Sequence, residues 1–295
     1  MLDLISAYEN YLTKVKQASS NTVFSYIRDI RQFDSWLSRT GEITVLDAGQ
    51  VNIAAYLSYL QEEGRSAATI SRGLASLKNF YAYLVSTGFL TESPVSEQIH
   101  VERGEKKLPQ VLTNAQVDKL LAQPAPVDPK GIRDKAMLEL LYATGIRVTE
   151  LIGLNLEDYN IELKSIRVGS SKKSRTIPLY PGALQAMNQY LAETRTSMVT
   201  DQSEKALFVN VNGSRMSRQG FWKILKHYQA KAGIEQEITP HTLRHSFAVH
   251  LIENGAELSA VKELMGHSDI SSTQVYTQMI NQKIKSVYEK CHPKA

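Results

Sequence analysis

Along the first 90 residues apolar side chains return at steps of three and four. In "SNTVFSYIRDIRQFDSWLSRTG" the stripe is Val23, Ile27, Ile30, Phe33 and Leu37, with a Ser/Asn cap before it and Gly41 after it. "VNIAAYLSYLQEEG" predicts a further helix ending at Gly64. "SAATISRGLASLKNFYAYLVSTG" predicts another ending at Gly88, with Ile70, Leu74, Leu77, Tyr81 and Leu84 on one side. Thr69, Arg72 and Ser76 lie on a different face, and Arg65 stands just before the helix. "ISAYENYLTKVK" precedes them all as a first helix. Four helices in residues 1–90 make a small bundle.

The period then breaks. Residues 91–110, "TESPVSEQIHVERGEKKLPQ", hold two prolines, a glycine and dense charge, the composition of a linker. A second domain, 111–295, follows. "TNAQVDKLLAQ", the strongly apolar "IRDKAMLELLYATG" and "RVTELIGLNLEDYN" predict helices, the last ending in a turn. Two β-prone runs, Ile166–Val168 and Thr176–Leu179, flank a Gly/Ser/Lys turn and predict a hairpin. "ALQAMNQYLAETR" predicts a helix, "ALFVN" a short strand, and "SRQGFWKILKHYQAKAG" a helix with a basic polar side. "TPHTLRHSFAVHLIENG" predicts a helix with Thr239 as cap and Pro240 at its first position. "LSAVKELMGH", "SSTQVYTQM" and "NQKIKSVYEKC" complete a chain that is mainly α with a small β-sheet.

Composition narrows the class. Hydrophobic residues at 42% and charged residues at 22% are those of a globular protein. No apolar run approaches the ~18 residues that span a bilayer, so no membrane association is expected. The N-terminus, "MLDLISAYENYLTK", lacks the basic start of a signal peptide. The single cysteine, Cys291, rules out a disulfide framework within one chain and a cysteine-rich zinc site. These features point to a cytoplasmic protein. The net charge of +4 is unevenly placed: residues 1–110 carry 11 Lys/Arg against 12 Asp/Glu, and residues 111–295 carry 23 against 18. The second half therefore has some bias toward an anionic partner.

Chemistry concentrates in "HTLRHSFAVHL". Leu243, Phe247 and Leu251 face a core, while His241, Arg244 and His245 lie on the neighbouring side. His241 and His245 have the i, i+4 spacing of a zinc-binding pair. Thr242 stands where a zinc protease has its glutamate, no cysteine is near, and Arg244 would repel a cation. The same arginine suits a phosphate, to which guanidinium donates two parallel hydrogen bonds. Arg147 in "LYATGIRVTELIGL", His267 in "LMGHSD" and Tyr276 in "TQVYT" are residues of matching chemistry. Singly, each has an ordinary alternative: a solvent-facing turn arginine, a capping histidine, a half-buried tyrosine.

As an ordered set, Arg147, the His241-x-x-Arg244 pair, His267 and Tyr276 nine residues later, this chain resembles the tyrosine site-specific recombinases of the phage-integrase family, most of all the Xer type of bacteria. The resemblance covers nearly the whole chain. It implies an N-terminal helical core-binding bundle and a mixed α/β catalytic domain that together clamp duplex DNA. It implies attack by Tyr276 on a phosphodiester, giving a 3′-phosphotyrosyl bond and a 5′-hydroxyl. Arg147, Arg244 and His267 would stabilise charge on the non-bridging oxygens, and His241 would accept the phenolic proton. Glu150 would orient Arg147. No ATP is expected, because the phosphotyrosine keeps the energy of the broken ester, and no metal or other cofactor, because positive side chains replace a metal.

The family's hairpin lysine, which protonates the leaving 5′-oxygen, stands eight residues before the hairpin proline. Counting back from Pro178 reaches Ser170, so Lys172 and Lys173 are both candidates. Lys172 shares the strand parity of position 170 and is favoured. Arg65, Thr69 and Arg72 resemble the polar face that enters the major groove, and Lys173, Arg175, Arg218 and Lys223 are expected at phosphates. Ile284, Val287, Tyr288 and Cys291 form an apolar stripe on the tail, expected to pack on a neighbouring protomer. The expected partners are double-stranded DNA with an inverted-repeat site, a tetramer of this chain or a paralogue on two sites, and an accessory translocase. Residence at the nucleoid and resolution of chromosome dimers follow from the Xer likeness. Integration or excision of a mobile element is the alternative. A DNA-binding module with degenerate chemistry and a metal hydrolase built on His241 and His245 are the readings from other classes.

Overall fold

The structure is a computed structural model that describes residues 3–41, 43–96, 99, 109–169, 174–266 and 276. It divides into two compact units, Met1–Lys107 and Leu108–Ala295. Most of the expected linker, and the whole of 282–295, lie outside the described residues.

In the first unit α1 (Leu4–Asn10) runs into a π-helical turn, Tyr11–Val15. It is followed by α2 (Ser20–Gly41), α3 (Gln50–Glu62) and α4 (Ala67–Ser86). Side chains cap three of these helices. Asp3 accepts from the N–H groups of Ile5 and Ser6, Ser19 from Thr22, and Ser66 from Thr69. The expected stripes are the core: Ile27, Ile30, Phe33 and Leu37 of α2 are buried with Ile70, Leu74, Leu77 and Leu84 of α4. Tyr81 is buried too and donates to the Val45 carbonyl at 2.9 Å, so its hydroxyl is not orphaned.

The second unit is built round α6 (Pro129–Thr144). Asp128 caps it, Pro129 occupies its first turn, and Gly145 ends it in the left-handed region at φ 57°. Met137, Leu138, Leu140 and Leu141 are fully buried, because α5 (Asn114–Leu121), α7 (Val148–Gly153), α8 (Pro181–Gln189) and α11 (Pro240–Glu253) all pack on it. From Gly131 onward the helix has little solvent face, so its charges are paired: Arg133 with Asp134 and Lys135 with Glu139.

The expected hairpin is present as β2 (Ser165–Val168) and β3 (Arg175–Pro178), antiparallel with Ile166 opposite Ile177. A third strand, β1 (Tyr159–Asn160), pairs with β2 where the sequence suggests only a turn. Ile166, Val168 and Ile177 point into the core, while Arg167 faces out and holds Asp158. The expected strand at "ALFVN" is reduced to two isolated bridges, Asn155 with Ala206 and Val209 with Arg215. Its apolar residues are buried, but a turn pinned by Asn210 ends the pairing at once. After α8 come a π-turn (Tyr190–Thr194), α9 (Arg195–Met198), α10 (Arg218–Lys231), α11 and α12 (Leu258–Met265). No described helix is long and apolar enough to cross a membrane.

Candidate active site

Three elements converge at the ends of α6, α11 and α12. Thr239 caps α11 by accepting from the Thr242 N–H at 3.1 Å, and Pro240 presets its first turn. The helix buries Leu243 and Phe247 and aims Arg244 inward, where that residue is 3% exposed. One Arg244 Nη donates to the Gly145 carbonyl and the other to the Met265 carbonyl at 2.6 Å. Both acceptors lie at helix C-termini, where the backbone carries partial negative charge. Burial, and then the positive charge of Arg147, lower the Arg244 pKa to about 10, so it remains a cation at neutral pH.

Arg147 stands at the start of α7. Its backbone N–H donates to Glu150 Oε2 at 2.7 Å, its Nη1 lies 3.5 Å from Glu150 Oε1, and its Nη2 reaches the Gly266 carbonyl at 3.4 Å. The expected pairing with Glu150 therefore exists, but Glu150's fuller partner is Arg175. Both Nη atoms of Arg175 grip the carboxylate, at 2.9 and 3.1 Å, and its Nε donates to the Leu264 carbonyl at 2.6 Å. Desolvation opposes the charged form of Glu150, yet the Arg175 bonds and the Arg147 N–H outweigh it and hold the carboxyl below its usual range. Arg175, expected at a phosphate on the surface, is thus turned inward with its side chain only 15% exposed. The cause of this placement is physical: a guanidinium at the first position of β3 reaches an acid and a helix end that sequence spacing does not reveal.

Carbonyls 264, 265 and 266 at the end of α12 are each held by a different arginine: Arg175, Arg244 and Arg147. Among the described residues only Glu150 pairs its carboxylate with these guanidiniums, those of Arg147 and Arg175. Counted over these described side chains, three guanidiniums and one carboxylate, the excess is two positive charges, an arrangement completed by an anion.

Tyr276 is 1% exposed and packs with Phe247, Ala248, Val261 and Met265. Its hydroxyl lies 2.8 Å from His245 Nδ1, one residue on from Arg244. Burial raises the phenol's pKa, with Arg244 pulling the other way. Burial first, then the charges at His241 and Arg244, push His245 down to about 4. His245 is therefore a neutral imidazole at pH 7. The family resemblance suggests His241 for the phenolic proton, and the residue touching Tyr276 in this structure is His245. The available sequence signal was weak: only its place one turn beyond His241, on the side toward Phe247.

His241 sits on the exposed face of α11, its ring centroid 6.4 Å from that of His245. Desolvation and then Arg244, Arg218 and Arg147 hold it below the usual imidazole range. Beside it opens a cleft of ≈ 520 Å³, lined by Arg218, Trp222 and Lys223 of α10 with Pro240. The structure thus brings two expected cations, Arg218 and Lys223, to His241. No group of three His, Cys, Asp or Glu able to hold a metal occurs among the described residues. The third histidine of the stretch, His250, is structural: Nε2 donates to the Leu112 carbonyl at 2.9 Å, and Nδ1 is left to accept from Tyr142 at 2.8 Å. His267, Lys172 and Lys173 lie outside the described residues.

In the first unit Arg65, Thr69 and Arg72 line one cavity of ≈ 630 Å³ together with Arg28, Gln32 and Tyr56. Arg72 is not simply a solvated side chain. Its Nε and Nη2 grip the buried Asp29 at 2.9 and 3.0 Å, and Ser76 donates to the same carboxylate at 3.0 Å. Thr69 contacts the capping hydroxyl of Ser66 at 2.9 Å.

Comparison with known proteins agrees with this architecture. Residues 110–283 match the phage integrase family and residues 5–88 the N-terminal SAM-like domain of phage integrases. The chain is 42% identical to tyrosine recombinase XerD of Listeria innocua over 298 residues and 40% identical to that of Lacticaseibacillus casei over 295, covering all of both chains each time. Among solved structures, XerA recombinase is 25% identical with a TM-score of 0.55, covering 99% of this chain and 98% of that one. XerH recombinase in a post-cleavage complex with a palindromic difH substrate is 22% identical with a TM-score of 0.77, covering 96% and 83%. Both units match, and relatives align end to end: the chain belongs to the phage integrase family and is a tyrosine recombinase of the Xer type.

Proposed function

We propose that this recombinase cuts and rejoins double-stranded DNA through Tyr276, with Arg147 and Arg244 as the electrostatic clamp. The observation that carries the reading is the cationic excess of the described side chains around Glu150, with the Tyr276 hydroxyl held by His245, the residue after Arg244. A phosphodiester carries one negative charge, and attack by a phenolate adds a second. Preformed guanidiniums fit that development of charge, and losing one such donor costs ~10²–10³ in rate in other enzymes.

The step balances without an external reagent. The Tyr276 oxygen bonds to phosphorus, the bond to the 5′-oxygen breaks, and the phenolic proton passes to a neutral imidazole. The departing oxygen takes a proton from the hairpin lysine, assigned to Lys172 with Lys173 as the alternative. His267 donates a further hydrogen bond to a non-bridging oxygen. A phenol buried on His245 must leave that contact to meet DNA. His241, beside Arg218 and the cleft, is then the imidazole nearest an incoming backbone. Religation reverses each transfer and calls for neither metal nor ATP.

Arg218 and Lys223 contact phosphates beside His241, and Arg65, Thr69 and Arg72 present the first unit to the major groove. The substrate is an inverted-repeat site in the nucleoid, bound by four protomers, this chain alone or with a paralogue, across two sites. The tail 282–295 links neighbours, so its deletion leaves DNA binding and abolishes pairing of sites. Resolution of chromosome dimers, aided by a DNA translocase, is the role proposed, and the full-length likeness to relatives named tyrosine recombinase XerD supports the first part of it. A nicked suicide substrate built from a binding-selected duplex tests the chemistry. Wild type traps a covalent complex on a denaturing gel. Tyr276→Phe binds equally and traps none, and an adduct with that variant would overturn the assignment.

A further inference from the structure

Among the described residues Arg175 is the one cation of the pocket with a hydrogen bond at each of its three nitrogens: Nε donates to the Leu264 carbonyl, and Nη1 and Nη2 to the two oxygens of Glu150. It joins three pieces of chain. β3 carries it, α7 carries Glu150, and the C-terminus of α12 supplies the carbonyl. Each junction leads to a clamp arginine. Glu150 accepts the Arg147 backbone N–H at 2.7 Å, so fixing the carboxylate fixes the start of α7. The carbonyl after Leu264 takes Arg244, and the one after that takes Arg147. The fit is close. A Cβ on Gly266, itself at φ 62°, would stand 2.7 Å from Arg175 Nη1 and 2.9 Å from its Cζ, so the helix end is shaped to admit this guanidinium.

We propose that Arg175 is a positioning residue for DNA cleavage: it locks Glu150 and the end of α12 together, and through them sets Arg147 and Arg244 in register. It makes no phosphate contact. The inference rests on the cleavage chemistry proposed above.

Two quantities separate positioning from contact. A phosphate contact releases a counterion, so its loss lowers the slope of log affinity against log salt by about 0.9. A positioning residue leaves that slope alone and slows the step after binding, where a 1 Å misplacement costs about 10²-fold. Arg175→Lys is the decisive variant. Lysine keeps the charge that a phosphate would need, but it cannot reproduce the fork on Glu150 while also reaching Leu264.

The full chain is measured as wild type, Arg175→Lys and Arg175→Ala. The readouts are salt-dependent binding to the selected duplex and single-turnover adduct formation on its nicked form at saturating protein. Both variants are expected to keep the wild-type salt slope and to form adduct about 10- to 100-fold more slowly. Should Arg175→Ala fail to fold, Arg175→Lys decides alone. Wild-type adduct rates in Arg175→Lys, or a slope lowered by about 0.9 in Arg175→Ala, overturn the proposal. Absence of adduct in wild type would instead remove the cleavage chemistry on which it stands.

Discussion

Gly145 shows how tightly the backbone and the clamp are coupled. It ends α6 at φ 57°, and its carbonyl accepts from Arg244. A Cβ there would overlap Cδ1 of Phe247 and lie 2.7 and 2.9 Å from Cε1 and Cγ of the same ring. Gly145→Ala therefore carries two costs. Placing an L-residue in the left-handed region costs roughly 1–2 kcal/mol, and forcing a methyl into a packed core costs roughly 1–3 kcal/mol more. The sum, roughly 2–5 kcal/mol, lowers the melting point of a domain of this size by roughly 4–20 °C. Because Phe247 is itself 8% exposed and packs beside Tyr276, the ring cannot simply swing away. Arg244 loses a partner as the turn shifts, so adduct formation at saturating protein falls by about 10- to 100-fold. The assay pairs calorimetry with the suicide substrate for wild type, Gly145→Ala, Phe247→Leu and the double variant. Leucine gives the methyl room without changing φ, so the double variant recovers the packing part only. A melting point within 1 °C of wild type for Gly145→Ala would refute the reasoning. Simple additivity of the two single effects would refute the assigned overlap.

Further outcomes follow from other contacts. Asp29→Ala strips Arg72 and Ser76 of their shared acceptor; it should destabilise the first unit by about 1–3 kcal/mol, and competition binding should show weaker preference for the cognate duplex over random DNA. Burial beside Tyr276 favours the neutral imidazole of His245, whose pKa is shifted from 6.5 down to about 4. The unfolded state thus binds the extra proton first, and stability is lost as pH falls from about 6.5 to 4, then levels. Melting points of wild type should converge on those of His245→Gln across that window, and a constant difference would contradict the shift. Ser246→Ala leaves the Leu112 N–H, now bonded at 2.8 Å, without its acceptor; urea unfolding should report a loss of about 1–3 kcal/mol.

Much of this molecule can be read from residue spacing. The stripes from Val23 to Leu37 and from Ile70 to Leu84 are cores because one face of each helix must be buried. Gly145 and Pro240 mark helix ends through backbone constraints that act locally. What spacing could not show depends on partners distant in sequence. Tyr159–Asn160 is a strand only because β2 lies beside it; two residues carry no alternation of their own. Arg175 sits in a run of surface-like charge, and nothing nearby announces that Glu150 and Leu264 meet it. His245 looks like half of a metal pair until Tyr276, 31 residues on, arrives at its Nδ1. Arg72 looks solvated until Asp29, 43 residues earlier, takes its fork.

The most direct test is to identify the residue that carries the DNA. Wild-type protein is trapped on the nicked substrate and digested with protease and nuclease, and the nucleotide-bearing peptide is sequenced by mass spectrometry. The account predicts a 3′-phosphate esterified to Tyr276. A nucleotide on any other residue, or a link through a 5′-end, would contradict it.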